Sequence, residues 1–256
     1  MRLRISFATI IAFVCGSQAI VGGIGASNKD LPFIVSVART SHKCGGVLIS
    51  PTAVLTDPEC IAGASASSLR VRAGSLRHAS LGIQEKISKI DRHQGYVSGS
   101  PKDRIAILHL ESAFPVISGD REIQEAPLPS QETTPGTKLI AGGWGVTSQG
   151  SGSIPASLRK VTIDAKDLAS CQEAYTELEL GPEILCVGVS GGGKGPCDGD
   201  NGGPLVNEDG RVVGLIQSPY NGCARANYWA IATNLDEYES WIAERVLDLT
   251  PSPARL

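Results

Sequence analysis

Residues 197–205 read Cys-Asp-Gly-Asp-Asn-Gly-Gly-Pro-Leu, and they are the part of the chain whose residue types bear most directly on chemistry. The glycines indicate tight turns, with Asp200 and Asn201 between them. The nitrogen of an asparagine amide has its lone pair delocalised into the carbonyl, so it cannot attack a peptide bond. Asn201 therefore offers hydrogen bonds to its surroundings but no nucleophile.

Short apolar runs separated by turn residues are the elements that must position this loop. Their length, and the Pro, Gly, Ser and Asn residues between them, are typical of an all-β barrel or sandwich. The clearest runs are residues 33–38, 46–49, 105–110, 138–141 and 212–216. The sequence therefore predicts an all-β fold.

One helix is predicted, and it closes the fold. Asn234 can cap its first turn, and the acidic Asp236 and Glu237 suit its positive end. The apolar residues that follow recur at helical spacing and are Tyr238, Trp241, Ile242 and Val246.

The first nineteen residues have the pattern of an export signal. Arg2 and Arg4 precede an apolar run, and the small residues Ser17 and Ala19 suit a cleavage point after Ala19. The run has about eleven apolar residues, too few to span a bilayer. We therefore expect a secreted, extracellular protein divided into a signal (1–19), an N-terminal unit (20–127), a C-terminal unit with the closing helix (128–249) and a disordered tail (250–256).

Charge and cysteine content narrow the class further. The net charge is −3, and no run of Lys or Arg stands out, so we expect neither a nucleic-acid nor a membrane partner. One of the seven cysteines, Cys15, leaves with the signal. An even number in an exported chain predicts disulfides, although six cysteines allow 15 pairings. The sequence indicates no metal or other cofactor, since no C-x-x-C spacing occurs.

Several segments in the same order resemble the trypsin- and chymotrypsin-like serine proteases. They are Ile20-Val21-Gly22-Gly23, Cys44-Gly45-Gly46-Val47-Leu48-Ile49, Ile105-Ala106-Ile107-Leu108, Gly143-Trp144-Gly145 and Asn221-Gly222-Cys223-Ala224-Arg225. Arg72-Ala73-Gly74-Ser75-Leu76 and Gly188-Val189-Ser190 are similar to secreted fungal trypsins in particular. The resemblance implies two packed six-stranded antiparallel β-barrels of the chymotrypsin type, followed by a C-terminal helix.

The same resemblance locates the catalytic positions, and their residues differ from those of the family. Asn201 stands where the family has its serine, Glu59 where it has its histidine and Arg104 where it has its aspartate. A shift of one residue would place Asp103 there instead of Arg104. If Arg104 is buried at this position, we expect Glu59 to be its counter-ion, with Asn201 donating an amide hydrogen to Glu59.

The substrate pocket implied by the resemblance is altered as well. Gly195 replaces the aspartate that binds Lys or Arg in trypsins, and the wall becomes Gln217, Ser218 and Pro219. Proline has no N–H to donate to an extended peptide, and Ala230 replaces a glycine of the far wall. We expect a narrowed cleft.

Other implied features are retained. Gly199 and the backbone of Asn201 suit an oxyanion hole, and Asp200 is expected to pair with an Ile20 amine freed by cleavage. The resemblance implies three disulfides, which are Cys44–Cys60, Cys171–Cys186 and Cys197–Cys223.

These differences lead to the hypothesis of a secreted, monomeric, non-catalytic homologue, not an enzyme, that binds a secreted or host protein as an inhibitor or decoy. The alternative is a trypsin-like serine endopeptidase with a rearranged active site, for example one that recruits Ser218. A third possibility is a relic with no selected role. The identity of the partner is not encoded in any motif.

Overall fold

A computed structural model describes residues 20–119, 122–217 and 220–247. The predicted signal (1–19), the tail (250–256) and the pocket-wall residues Ser218 and Pro219 lie outside these ranges. Within them, no helix is long and apolar enough to cross a membrane.

The first barrel is built from six antiparallel strands. These are β2 (Ile34–Ala38), β3 (His42–Ser50), β4 (Ala53–Thr56), β5 (Arg70–Ala73), β6 (Ile83–Arg92) and β7 (Ala106–Leu110). The hydrogen-bonded order β2-β3-β4-β7-β6-β5 closes because β5 also pairs with β2. Side chains that point inward, such as Val35, Val37 and Val71, are fully buried, as the alternation of strand side chains requires.

The second barrel repeats this plan. Its strands are β8 (Lys138–Gly143), β9 (Arg159–Lys166), β10 (Ile184–Gly188), β11 (Pro204–Val206), β12 (Val212–Ile216) and β13 (Ala230–Asn234). The order is β9-β10-β13-β12-β11-β8, closed by the pairing of β8 with β9, and the short β1 (Ile24–Gly25) adds to β9. The predicted fold of two six-stranded antiparallel barrels is therefore confirmed.

The described part of the chain also forms two α-helices, α1 (Leu168–Ala174) and α2 (Glu239–Leu247). Asn234 caps the closing segment as predicted, but the first turn, Leu235–Tyr238, is a 3-10 helix that leads into α2. Trp241 and Ile242 pack into the core of the first barrel. Burying a large apolar side chain contributes about 1.5–3 kcal/mol to the stability of the fold. These two residues therefore stabilise the packing of α2 against the first barrel.

The three disulfides join the pairs that the family resemblance implied. Cys44–Cys60, Cys171–Cys186 and Cys197–Cys223 have Cα–Cα distances of 6.1, 5.9 and 5.0 Å. In the chain-entropy model, loops of this length contribute about 3 kcal/mol each. Two of these bonds hold segments of the candidate site, since Cys60 follows Glu59 and Cys197 begins the loop of Asn201.

Candidate active site at the barrel junction

The loop that carries Asn201 is fixed between the two barrels by backbone contacts. The Asn201 carbonyl accepts a hydrogen bond from the Gly45 amide of β3 at 2.7 Å, and the Gly202 amide donates to the Ile216 carbonyl of β12 at 2.7 Å. A Cβ atom placed on Gly45 would lie 2.7 Å from Gly203 Cα, so only glycine permits this approach. Asn201 is buried at this junction.

A buried cluster of Asp57, Arg104 and Asn201 occupies the centre of the site. Arg104 Nε donates to Asp57 Oδ1 at 3.1 Å, and a second Arg104 nitrogen donates to Asp57 Oδ2. Asn201 Nδ2 donates to the same Oδ2 at 3.0 Å. Burial opposes the charge on the guanidinium, but the Asp57 carboxylate outweighs it and raises the pKa of Arg104. Arg104 and Asp57 thus form an ion pair with two hydrogen bonds, and the side-chain amide of Asn201 donates a further hydrogen bond to the same carboxylate.

The predicted pairing of Arg104 with Glu59 was wrong. Glu59 points to the neighbouring loop, where it accepts hydrogen bonds from Tyr96 Oη at 2.9 Å, Ser98 Oγ at 2.7 Å and the Gly99 amide at 3.0 Å. Burial alone would raise the pKa of Glu59, but these three donors lower it overall. The counter-ion of Arg104 is instead Asp57, which lies two residues before Glu59 in the sequence.

Asp57 is the central residue that sequence reasoning missed. Its carboxylate also accepts the Glu59 amide at 2.9 Å and so caps the short 3-10 turn Pro58–Ile61. An aspartate followed by proline at a helix start is a recognisable capping signal. That signal predicts the start of the turn at Asp57, but not the pairing of its carboxylate with Arg104.

The structure also shows which of Arg104 and Asp103 occupies the position of the family's catalytic aspartate. Arg104 is 3 % exposed and faces Asp57. Asp103 turns away with a φ of 55°, and its carboxylate contacts Tyr238 Oη and His93 Nδ1, both at 3.1 Å. The alternative with Asp103 at the centre is therefore excluded.

Tyr220 and Gln217 extend the cluster along the cleft. Tyr220, in the loop between β12 and β13, accepts a hydrogen bond from Arg104 Nη1 at 3.2 Å, so it bridges from the second barrel to the first. Gln217 is fully buried and donates to the Pro101 carbonyl at 2.9 Å and to Thr233 Oγ1 at 3.2 Å. These contacts connect the two walls of the cleft.

The cavity beside Gly195 is very small. It has a volume of about 10 Å³ and is lined by residues that include Gly195, Gly188, Tyr228 and Ala230. This is about the space that one water molecule needs. The cavity as it stands has no room for a Lys or Arg side chain.

Ile20 and Asp200 lie close to each other in the interior. Both are fully buried; the Ile20 nitrogen donates to the Gly145 carbonyl at 3.4 Å, and the Gly145 amide donates to Asp200 Oδ1 at 2.7 Å. Burial raises the pKa of Asp200 to about 7, although the amides of Cys197 and Gly145 act in the opposite direction. An ion pair between Asp200 and a freed Ile20 amine stays a prediction.

The oxyanion hole also stays a prediction, but the loop has the backbone that it needs. Gly199 has a φ of 96°, a conformation open mainly to glycine, and its carbonyl accepts a hydrogen bond from His42 Nε2 at 3.0 Å. This hydrogen bond fixes the orientation of the Gly199 carbonyl. The loop offers backbone donors but no side-chain nucleophile.

Comparison with known proteins identifies the architecture. The sequence model of a family described as Trypsin matches residues 20–242. The chain is 38% identical to Trypsin Blo t 3 of Blomia tropicalis over 87% of this chain and 84% of that protein, and 34% identical to Trypsin beta of Drosophila erecta over 87% of each. It is 33% identical to the vitellin-degrading protease of Bombyx mori over 91% of this chain and 88% of that protein.

These relatives contradict one prediction. The chain was expected not to be an enzyme because of Glu59, Arg104 and Asn201. The relatives that match it along nearly the whole chain are named as trypsins and as a protease. The expectation of a non-enzyme was therefore wrong by this comparison, and the three substitutions are changes within a protease architecture.

Proposed function

Because this chain belongs to the trypsin family of serine proteases, we propose that it acts on polypeptides as a trypsin-like endopeptidase with a rearranged active site. The observation that carries the proposal is the match to proteases over residues 20–242, which spans both barrels and the loop of Asn201. The Cys197–Cys223 disulfide and the contacts with Gly45 hold this loop at the barrel junction.

The rearranged chemistry uses water as the nucleophile, since Asn201 has none to offer. The water oxygen attacks the peptide carbonyl carbon, a base takes its proton, and the C–N bond breaks as the leaving nitrogen is protonated. The backbone amides of Gly199 and Asn201 are the proposed donors to the developing oxyanion. Glu59 is the proposed base, because its side chain is partly exposed to solvent, whereas Asp57 is fully buried and paired with Arg104.

This mechanism sets the expected rate. Without a working triad, oxyanion stabilisation and binding alone give about 10³–10⁴-fold acceleration over uncatalysed hydrolysis. The hydrogen bonds that lower the pKa of Glu59 also make it a weak base. Turnover is therefore expected to be far slower than in a protease with a serine at this position.

A peptide-library assay tests the proposal. The purified chain is incubated with mixed peptides, and new termini are counted by mass spectrometry with and without a fluorophosphonate, which reacts with activated serines. Expected is slow cleavage that the fluorophosphonate does not affect and that Glu59→Gln reduces, while Glu244→Gln on the exposed side of α2 leaves it unchanged. Cleavage no faster than in buffer, or cleavage abolished by the fluorophosphonate, refutes it.

Secretion is part of the proposal. The basic start, the apolar run and Ala19 favour export with cleavage before Ile20, and three disulfides suit an oxidising compartment. A secreted protein that acts outside the cell follows. Fractionation of an expressing culture into cells and medium tests it; full retention in the cells contradicts it.

A second candidate function is binding of a secreted or host protein at the cleft rim, as an inhibitor or decoy. The observation that favours it is the bridge from Arg104 to Tyr220, which places an aromatic side chain across the cleft. Tyrosine and arginine are common anchors at interfaces; Arg225 lies in the same loop as Tyr220, and Tyr96 lies in the loop between β6 and β7. Arg225 stacks on Tyr228 at 4.5 Å from the ring centroid, so it is pre-positioned.

Alanine substitutions distinguish this candidate. With a partner isolated from extracellular fluid, changes at Tyr96, Tyr220 and Arg225 are expected to weaken binding, and Arg245→Ala on α2 is expected to leave it unchanged. Loss of the partner only in α2 variants contradicts a site at the rim. Cleavage of the partner by the purified chain favours the first function instead.

A further inference from the structure

One outer face of the first barrel carries a row of cations. Arg70 on β5 lies directly opposite Lys86 on β6, and Arg72, two residues further along β5, shares the same face. Like charges that face each other across a strand pair destabilise a sheet. Arg39 directly follows β2, which pairs with the other edge of β5, and the exposed Arg77 lies four residues after the end of β5. We call Arg39, Arg70, Arg72, Arg77 and Lys86 the basic strip.

The basic strip is not neutralised by the protein. Among the described residues, no carboxylate lies within ion-pair distance of its five side chains. The guanidinium groups of Arg70 and Arg72 donate instead to backbone carbonyls, of Ser67 and Leu69 in one case and of Leu81 in the other. The whole chain has a net charge of −3, so the strip is opposite in sign to the molecule that carries it.

An open groove adjoins the strip. It has a volume of about 330 Å³, and its lining includes Leu76, Arg77, Leu81 and Ser157. Leu81 is 63% exposed, so it offers an apolar side chain to solvent at the edge of the groove. Arg72 bonds to the Leu81 carbonyl at 2.5 Å, so groove and strip are continuous.

The groove is held in shape by its own hydrogen bonds. The Leu76 carbonyl accepts from Trp144 Nε1 at 2.9 Å and from the Leu158 amide at 2.7 Å. Ser75 Oγ donates to the Ser80 carbonyl at 2.7 Å and closes the loop from the other side. A preformed surface loses less entropy when it binds a partner.

We propose that the basic strip and this groove together form a docking surface for an acidic polypeptide segment that carries an apolar side chain. Carboxylates of the segment pair with the strip, and the apolar side chain enters the groove beside Leu81. The apolar wall favours a peptide over a sulfated polysaccharide, which has no apolar group to place there. Such a surface recruits proteins with acidic segments independently of what happens in the cleft.

Fluorescence anisotropy of a labelled peptide tests the proposal. The probe holds six Asp or Glu residues and one Phe; matched probes replace Phe by Ser, or the acids by Asn and Gln. The full chain is expected to bind the first probe best, and more weakly as salt rises, since exposed charge pairs are screened. The Phe-to-Ser probe is expected to bind about tenfold more weakly.

Variants locate the binding surface. The double variant Arg77→Glu with Lys86→Glu is expected to weaken binding of the first probe by at least about tenfold, and Leu81→Ser by several-fold. Lys194→Glu is the matched control, because Lys194 is exposed, makes no ion pair with described residues and lies in the second barrel. It is expected to bind the probe as the unaltered chain does.

Three outcomes would overturn the proposal. The first is equal binding of all probes, or equal loss in the Lys194→Glu control. The second is tighter binding of heparin than of the peptide with no effect of Leu81→Ser, which assigns the surface to polyanions. The third is a dimer in analytical ultracentrifugation that Lys86→Glu dissociates, which assigns it to a second copy of the chain. Because anisotropy records binding and not hydrolysis, the result stands apart from the peptidase assay.

Discussion

Removing the Asp57 carboxylate should destabilise the fold strongly, because it leaves a buried charge without a partner. Arg104 is 3% exposed and Asp57 fully buried. Two Arg104 donors, the Asn201 amide and the Glu59 amide all point at this carboxylate. Breaking a buried ion pair by deleting one partner costs about 3–5 kcal/mol. We expect Asp57→Ala to lower the free energy of unfolding by this amount.

A double-mutant cycle separates the ion pair from general loss of packing. Arg104→Met replaces the cation by an apolar side chain of similar length. Replacing both members of a buried pair by apolar residues is often neutral, so Asp57→Ala with Arg104→Met should be more stable than Asp57→Ala alone. Glu59→Ala is the matched control, and since Glu59 is only partly buried and makes no ion pair among the described residues, its effect should be smaller than that of Asp57→Ala.

Urea unfolding of the oxidised protein, followed by tryptophan fluorescence and extrapolated linearly to water, supplies the free energies. A loss below about 1 kcal/mol for Asp57→Ala would show that the pair is solvated. A Glu59→Ala loss larger than that of Asp57→Ala would show that Arg104 takes Glu59 as its counter-ion. Either result refutes the assignment of Asp57 as the partner of Arg104.

Two further predictions concern the catalytic positions and the buried Asp200. The triple variant Glu59→His, Arg104→Asp, Asn201→Ser should not gain trypsin-like cleavage after Lys or Arg, because the cavity beside Gly195 holds about 10 Å³ and no carboxylate; efficient hydrolysis of a Lys or Arg ester would disprove this. In a chain with residues retained before Ile20, the raised pKa of Asp200, about 7, means that the folded state binds the proton more tightly than the unfolded state. The contribution of Asp200 to stability should then be fully present below about pH 4 and be lost as pH rises through about 7; the change in urea midpoint between pH 4.5 and 7.5, compared with that of a chain that begins at Ile20, measures this contribution, which should be absent in the shorter chain.

The strands were predictable because they depend on local sequence. The run 212–216 coincides with β12, and 105–110 differs from β7 by one residue. Apolar runs bounded by turn residues determine such strands with little help from the rest of the chain. The closing helix was predicted with its Asn234 cap, but not its 3-10 first turn, whose Leu235 and Tyr238 pack against the first barrel.

The partners within the site were not predictable in the same way. Asp57 and Glu59 are two residues apart just after β4, and each carries a carboxylate of the kind that can pair with Arg104. Pro58 begins a 3-10 turn between them, which directs Asp57 inward and Glu59 to the loop of Tyr96. This choice depends on backbone geometry after the turn, not on residue type. The family pattern pointed to position 59, whereas the structure places the carboxylate of the capping residue Asp57 beside Arg104.

The contacts of Asp57 show why the altered centre functions as a unit. A carboxylate has about four sites for hydrogen-bond donors, and here each oxygen receives two, one from Arg104 and one from either the Glu59 amide or the Asn201 amide. Arg104→Asp alone would place two carboxylates side by side in a buried site, where like charges force one to keep its proton. A histidine at position 59 would then lie near an aspartate at position 104 that can be protonated and therefore uncharged. Restoring the family's catalytic arrangement therefore requires replacing Asp57 together with the three catalytic positions, because Asp57 and Arg104 neutralise each other and neither can be changed alone without leaving a buried charge.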